Sequence, residues 1–243
     1  MTQNFTSWDR ELTENVHLRF CKYYLGVNKK ASNFACRAEL GRFPLKLFID
    51  KLILGYWNHL LDLPNTAIAK QAFLISKSLH EQRKKSYHSK FHDILKFYNI
   101  DSRNNLTTQF SNPDLAKSIS TMKKEYIKFW NNSVKHSRKL EFYREFKISY
   151  DPEPYLDIIQ SFDKRRTFTK FRISNHNLAI EAGRYTKTAV NDRLCIFCPL
   201  NVIENEEHML TKCKLYENLR NVLSAKVKST NTQLDLNNIH PLL

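Results

Sequence analysis

Four residues near the C-terminus combine metal-ligand chemistry with a strict spacing: Cys195, Cys198, His208 and Cys213. They form a C-x2-C-x9-H-x4-C array. Two cysteines three positions apart can direct both thiolates at one cation from a tight turn, and a histidine and a cysteine five positions apart can complete a tetrahedron. The spacing therefore predicts one zinc ion as cofactor. Because protein fills all four corners, whereas a catalytic zinc keeps one position open for water, the predicted ion is structural.

The alternative interpretation of these residues is a set of unconnected thiols, since cysteine is often simply a buried hydrophobe. Against it, the flanking sequence is polar, and a short segment with little core needs a staple to fold. Cys21 and Cys36 lie in apolar, helix-like segments and are predicted to be core thiols. His208 and Cys213 would lie about 140° apart on an ideal helix, so a helix must end or distort between them.

The composition favours helices and a polyanionic partner. The chain has 243 residues but only four glycines, which argues against a turn-rich β fold. The 39 lysines and arginines exceed the 24 acidic residues, a formal charge of +15 that places nucleic acid ahead of a membrane surface as partner. Five cysteines cannot pair completely, and neither a signal segment nor a long apolar run is present. We therefore expect an intracellular protein of a reducing compartment, nuclear or cytoplasmic, without a membrane or a small-molecule substrate as partner.

Apolar periodicity predicts a mainly α protein, a helical bundle followed by a small zinc-stapled C-terminal unit. Helices are expected from Ser7 to Gly26 with the apolar stripe Trp8, Leu12, Val16, Phe20 and Tyr24, and then over 32–40, 44–61, 66–82 and 88–98. The third should have core on two sides, through Leu45, Phe48, Leu52, Ile53, Tyr56, Trp57 and Leu60. Two prolines within Tyr150–Pro154 predict a boundary between a helical domain, 1–150, and a basic, zinc-bearing domain, 151–243.

A basic run precedes the metal array, and here we expect contact with a phosphate backbone. Between Lys164 and Arg193 eight basic side chains face two acidic ones. The predicted contacts are Lys164, Arg165, Arg166, Lys170, Arg172, Arg184 and Lys187. A solvated helix face is the alternative interpretation of such a run. The array itself contains Glu204, Glu206 and Glu207 but no lysine or arginine between Leu194 and Thr211, so its loop should repel phosphate.

A second basic surface is predicted on a long amphipathic helix from Pro113 to about Lys147. Lys117, Lys124, Lys128 and Lys135, with Lys139, share one side of the wheel and would form a stripe ~33 Å long. The back of any solvated helix can show such a stripe, so nucleic-acid contact and plain solvent exposure remain two alternatives. Further on, Leu178–Tyr185 is expected to be extended or a turn, with Gly183 in a conformation closed to other residues. His176 is expected to be exposed.

Several of these runs resemble one family. Arg172–Tyr185 and Arg193–Tyr216, together with Val16–Val27, Ala38–Leu45 and the later Tyr56-Trp57, resemble the region that follows the reverse-transcriptase domain in metazoan LINE-type, non-LTR retrotransposon proteins. The resemblance implies a non-catalytic region that helps to hold template RNA or target DNA, with Cys195, Cys198, His208 and Cys213 as its zinc ligands. It also implies other retroelement proteins as partners.

Departures from that family limit the activity we expect. The sequence contains neither a paired-aspartate polymerase motif nor an apurinic-type endonuclease block, so we expect no enzyme activity from these residues. Three functions remain open: a nucleic-acid-binding region of a retroelement protein, truncated or domesticated; a protein-interaction module, favoured by the acidic loop; and a metal-dependent nuclease. The closed ligand shell disfavours the nuclease, because that chemistry needs open coordination.

Overall fold

The computed structural model describes residues 12–100 and 111–230, and over these ranges the protein is mainly α-helical. The helices are α1 Leu12–Tyr24, α2 Asn33–Glu39, α3 Leu45–Asp62, α4 Ile68–Glu81, α5 Tyr87–Phe97, α6 Asn112–Lys135, α7 Tyr143–Phe146, α8 Tyr155–Ile158, α9 Phe162–Arg172, α10 Ala179–Tyr185, α11 Glu206–Thr211 and α12 Glu217–Thr230. Short 3-10 helices cover Arg138–Leu140, Val190–Asp192 and Lys214–Tyr216. The only β pairing in the described part of the chain is one antiparallel bridge between Leu194 and Ile203. The predicted fold class is confirmed.

Local signals set the ends of several N-terminal helices where the sequence predicted them. Gly26 and Gly41 follow α1 and α2 with φ of +65° and +59°, the left-handed conformation that ends many helices. Ser32 caps α2 by accepting a hydrogen bond from the Ala35 N–H. Pro44 precedes the first turn of α3, where a missing N–H costs nothing. The predicted cap at Ser7 lies outside the described residues.

The chain divides into two compact units, and neither is continuous in sequence. The first comprises the described parts of Met1–His17 and Phe43–Asn131, and the second those of Leu18–Arg42 and Asn132–Leu243. These units differ from the predicted domains 1–150 and 151–243. The Tyr150–Pro154 segment lies inside the second unit, where the Glu153 N–H donates to the Glu39 carbonyl (2.9 Å). The two prolines therefore turn the chain within one unit.

The first unit is built around the aromatic core of α3, α4 and α5. Trp57 is fully buried, stacks on Phe91 with ring centroids 3.7 Å apart and meets the edge of Phe73 at 5.0 Å. The prediction that α3 has core on two sides is wrong, because Phe48, Leu52 and Tyr56 are exposed and the buried side is Leu47, Asp50, Leu54, Trp57 and Leu60.

The buried imidazole of His88 should make the first unit sensitive to acid. Burial, helped by His92, His80 and Lys77, lowers the pKa of His88 from 6.5 to about 4. Between these two pH values His88 is protonated in the unfolded chain but neutral in the folded unit. Its contribution to the free energy of unfolding is therefore complete above about pH 6.5 and is lost as the pH falls towards 4. The difference between the two pKa values corresponds to ~3 kcal/mol of unfolding free energy. Urea titrations between pH 7 and 4 should show the stability of the first unit falling.

Two variants check this pH dependence. His88→Phe should flatten it, because a neutral ring of similar size replaces the titrating one. His59→Phe removes an exposed imidazole from α3 and should leave the profile of the parent protein unchanged. A His88→Phe profile parallel to that of the parent protein would show that other groups cause the acid sensitivity.

A buried ion network forms the core of the second unit. The Arg172 guanidinium donates to Glu39 through Nε (3.1 Å) and Nη2 (3.3 Å), and Nη2 also donates to Glu153 (2.6 Å). The Lys147 ammonium binds the other oxygen of Glu153 at 2.5 Å, and the Tyr155 hydroxyl donates to Glu39 at 2.6 Å. Burial alone would lower the pKa of Arg172, but the neighbouring carboxylates more than offset it and raise that pKa.

Helix α1 presents its apolar stripe to solvent. Leu12, Val16 and Phe20 are 57–86 % exposed, whereas the buried apolar side chains of this stretch are Leu18, Cys21 and Leu25. Cys21 and Cys36 are buried with free thiols, as predicted, and burial raises the pKa of Cys36 to about 12. The predicted apolar stripe is thus exposed, and a different, narrower side of the helix is buried. Hydrophobic periodicity alone did not identify the core-facing side of this helix.

Candidate metal centre and basic surface

The four predicted metal ligands converge in the second unit. One ligand atom from each of Cys195, Cys198, His208 and Cys213 lies within 4.8 Å of the others. The sulfurs of Cys195 and Cys213 are 3.8 Å apart, and the Cys198 sulfur is 3.5 Å from His208 Nε2. All three of Cys195, His208 and Cys213 are nearly fully buried. The four side chains form a group that can hold one metal ion.

Two short elements place these ligands. The Cys195 N–H donates to the Val202 carbonyl (2.9 Å) and the Glu204 N–H to the Arg193 carbonyl (2.9 Å), which closes a hairpin around the two cysteines. His208 follows in α11, where Asn205 caps the helix by accepting from the His208 N–H at 2.8 Å.

The end of α11 places the fourth ligand. The helix ends at Thr211, and the Cys213 N–H then turns back to the His208 carbonyl (2.8 Å). The helix end predicted between these two ligands is therefore confirmed. Arg220 of α12 donates to the carbonyls of Met209 (3.2 Å) and Cys213 (2.6 Å), so it ties α12 to α11 and to the fourth ligand.

Backbone N–H groups point at the cysteine sulfurs of the hairpin. The pKa of Cys198 is lowered chiefly by a hydrogen bond from the Leu200 backbone N–H. Burial raises the pKa of Cys195 to about 11, and the Phe197 backbone N–H acts in the opposite direction. N–H donors stabilise a thiolate, which is the form that binds metal. The turn is thus shaped for sulfur anions.

The acidic residues of the array fasten it to the chain that follows α9. Glu206 accepts from Ser174 Oγ (2.6 Å) and contacts His176 Nε2 (2.9 Å), while Glu204 accepts from the Ala179 N–H (2.6 Å). Burial alone would raise the pKa of Glu206, but these hydrogen bonds hold it below its ordinary value. The expectation that His176 is exposed is therefore wrong. Glu204 and Glu206 are buried, so they are structural and leave the acidic loop little charge for a protein partner.

The segment just before the metal array also differs from what the sequence predicted. Residues Ala179–Tyr185 form helix α10 where an extended segment or turn was predicted, and Gly183 does not have positive φ. Gly183 has a different role, because a Cβ there would lie 2.5 Å from Arg193 Cδ. The bare backbone lets the buried Arg193 side chain pass and donate to the carbonyls of Ile180 (2.7 Å) and Thr188 (2.8 Å). These bonds tie α10 to the start of the hairpin.

No known protein family, curated protein or solved structure matches this chain. Among the described residues, no helix is both long enough and apolar enough to cross a membrane.

The basic run is divided between surface and core. Lys164 and Lys187 are exposed, and Lys170 is partly so. Arg184 pairs with Glu181 at 2.8 Å, within the second unit. The prediction for Arg172 is wrong: its side chain is 1 % exposed and bound to two carboxylates, so it cannot reach a phosphate.

The lysine stripe is shorter than the sequence predicted. Helix α6 ends at Lys135, and Lys139 lies beyond it in a 3-10 turn with its ammonium on Glu181. Lys117, Lys124 and Lys128 are exposed on α6, although Lys128 pairs with Glu125 at 2.6 Å. Three exposed lysines in the first unit, and Lys135 at the end of the helix, remain candidates for phosphate contact.

Sequence reasoning missed a cluster of exposed aromatic rings beside arginines. Phe20, Tyr24 and Phe162 are 43–57 % exposed, and Arg165 lies over the rings of both Tyr24 (5.8 Å) and Phe162 (5.9 Å). Arg166 also lies over Phe162, at 5.9 Å. The basic and aromatic composition of the first turns of α9 could have indicated this cluster. The rings of α1 were instead predicted to be core, because apolar residues recur there with the period of a helix.

Proposed function

We propose that this chain is a non-catalytic, zinc-stabilised nucleic-acid-binding region of the kind that follows the reverse transcriptase of LINE-type retrotransposons, or a domesticated relative of it. One observation carries the proposal: Glu204 and Glu206 of the metal array hold the chain just after α9 (hydrogen bonds of 2.6 Å to Ala179 N and Ser174 Oγ). The array thereby supports the helix whose exposed lysines are suited to phosphate. The resemblance of Arg172–Tyr185 and Arg193–Tyr216 to that family agrees with this role.

Zinc is the metal that suits the four ligands best. A tetrahedral ion with bonds of about 2.3 Å to sulfur and about 2.05 Å to nitrogen places two sulfurs about 3.8 Å apart and a sulfur and a nitrogen about 3.6 Å apart. Two of the six separations are 3.8 Å and 3.5 Å, and all six lie within 4.8 Å. Three thiolates and one imidazole also match the softness of zinc. Bound there, zinc would supply cross-linking of the hairpin to α11, and a fourth protein ligand leaves no position for a reacting water.

Nucleic acid suits the charge of the second unit better than an acidic peptide does. Lys164, Lys170 and Lys187 are at least partly exposed and none has a carboxylate partner within 4.0 Å among the described ion pairs. A second candidate function, protein binding, is favoured by the exposed Ile196 and Phe197 at the tip of the hairpin, which are 86 % and 52 % exposed. The acidic loop no longer supports that alternative.

Neutralising the three lysines should weaken binding in a salt-dependent way. Lys164→Gln, Lys170→Gln and Lys187→Gln together should make the slope of log Kobs against log salt shallower by about 2 to 3, since each lost phosphate contact contributes about 0.7 to 0.9. Fluorescence anisotropy with labelled RNA and DNA at several salt concentrations measures this. The matched control changes Lys77, Lys84 and Lys90, three exposed lysines of the first unit, to glutamine. Equal slopes for both variants would remove this surface from the proposal, and an absence of binding to any nucleic acid would refute the function itself.

A further inference from the structure

We propose that Phe20, Tyr24 and Phe162, with Arg165 and Arg166, form a stacking platform for the bases of a single-stranded nucleic acid. This inference rests on the proposed function and specifies its ligand. The three rings belong to α1 and α9 of the second unit. Each exposes a large part of its surface, between 43 % and 57 %. The platform is separate from the metal ligands, and none of the three rings lies in the array.

The rings and guanidinium groups form one continuous cluster. The Phe20 and Tyr24 centroids are 6.5 Å apart at an interplanar angle of 32°. Arg165 bridges from Tyr24 to Phe162 at 5.8 Å and 5.9 Å, and Arg166 reaches the Phe162 ring at 5.9 Å. Guanidinium planes and aromatic faces are the two side-chain surfaces on which unpaired bases stack. Both are present here, side by side.

The two arginines are held in place by the backbone around them. Arg165 Nη1 donates to the carbonyls of Leu156 (3.4 Å) and Ile159 (3.3 Å). The Arg166 side chain crosses Gly26, where φ is +65° and a Cβ would lie 2.5 Å from Arg166 Cγ. Gly26 thus serves both the end of α1 and the close approach of this arginine. Binding then requires little ordering of these side chains, which favours affinity.

The loop that follows α1 places a second cation over an aromatic ring. Lys30 Nζ lies 4.1 Å above the ring of Tyr185, which is 49 % exposed. Between the two pairs, the Asn28 N–H donates to Asn175 Oδ1 at 3.1 Å and holds the loop against the chain just after α9. Tyr24 and Lys30 are six residues apart, a span of at most about 22 Å. Stacking positions therefore follow the loop on a scale suited to a short stretch of single strand.

Charge and exposure favour a nucleic acid over a protein as the occupant. Contiguous exposed apolar surface marks a binding site, and cations at its rim select an anionic ligand. Among the described ion pairs, the carboxylate that contacts this cluster is Asp163, which is paired with Arg166 at 3.3 Å. A duplex keeps its bases stacked inside, so exposed rings would gain little from it, whereas a single strand offers free base faces.

The test replaces the rings and keeps the charges. Phe20→Leu, Tyr24→Leu and Phe162→Leu in one variant of the full chain should weaken binding of a labelled 20-nucleotide uridine or thymidine strand about tenfold or more, since loss of one stacked base already approaches that factor. Binding of a duplex of equal length, and of an abasic strand with the same number of phosphates, should change less than about twofold. The matched control is Phe48→Leu with Tyr56→Leu, two exposed rings of the first unit, and it should bind as the parent protein does.

The outcomes separate this inference from the proposed function. If the leucine variant binds single strand, duplex and abasic strand as the parent protein does, the platform is refuted while the nucleic-acid-binding function stands. If the parent protein binds none of the three probes, both fail. If the parent protein self-associates in sedimentation velocity and the leucine variant does not, with strand binding unchanged, the cluster is a protein interface and the inference is overturned. Circular dichroism melting of each variant confirms that binding is compared between folded proteins.

Discussion

Replacing Cys213 with serine should abolish metal binding and unfold the segment that carries the other three ligands. Cys213 is 1 % exposed, with its sulfur 3.8 Å from that of Cys195. Structural zinc contributes an apparent ~10–16 kcal/mol in small metal-folded units, more than a hairpin and a six-residue helix can replace. Hydrogen exchange should lose protection over 193–216, and also over 174–182, because Glu204 and Glu206 anchor that stretch.

The first unit should keep its protection in the same experiment, because its core of Trp57, Phe73 and Phe91 contains no ligand of the metal. Cys36→Ala is the matched control, since it removes an equally buried thiol of the second unit that lies outside the ligand group. Elemental analysis after dialysis should give one zinc per chain for the parent protein and for this control, and none for Cys213→Ser. One full equivalent of zinc in Cys213→Ser would contradict the assignment of the fourth ligand.

Replacing Arg172 with methionine should destabilise the second unit by ~3–5 kcal/mol, the range for a buried ion network that loses one partner. The cost arises because Glu39, which is fully buried, is left without its counter-ion. The guanidinium also lies 4.3 Å from the centre of the Phe146 ring, a contact that methionine replaces only in part. Urea titration followed by circular dichroism, with hydrogen exchange read over 18–42 and 132–230, measures the change in the second unit.

Two further variants show whether buried charge causes that loss. Arg144→Met removes an arginine that is 35 % exposed and pairs with exposed glutamates, so it should cost less than about 1 kcal/mol. Adding Glu39→Gln to Arg172→Met should recover part of the stability, because the uncompensated carboxylate is gone. If the double variant is less stable than Arg172→Met by the full cost of Glu39→Gln, the two side chains do not interact and the network account is wrong.

The sequence predicted the features that depend on neighbours along the chain. Gly26, Ser32 and Pro44 act within one helical turn, and the helix ends that they set agree with prediction. The convergence of the four candidate ligands belongs to the same class, because a C-x2-C pair that is to share one cation demands a spacing that can be read directly. Metal-ligand spacing and turn-forming residues depend on neighbours in the sequence, so they can be predicted without knowledge of the fold.

The features that the sequence did not predict depend on distant partners. Arg172 looked like one more cation of a basic run, since its partner Glu39 lies 133 positions away. Phe20 and Tyr24 looked like core because periodicity shows that a helix has an apolar side, but not which side the rest of the protein covers. Gly183 was predicted to have a backbone conformation closed to other residues for the same reason. The Arg193 side chain, which occupies the space that a Cβ at Gly183 would fill, belongs to a different element.

The discontinuity of the second unit has a consequence for synthesis on the ribosome. Glu39 is made 133 residues before Arg172, and at roughly 5 to 20 residues per second that interval lasts about 7 to 27 seconds. During this time the first unit can be completed, while α2 carries a carboxylate that has no counter-ion and a side with nothing to cover it. Nascent chains stalled before residue 172 should therefore recruit chaperones or be cleaved within Leu18–Arg42, and release of a slightly longer chain should end that vulnerability.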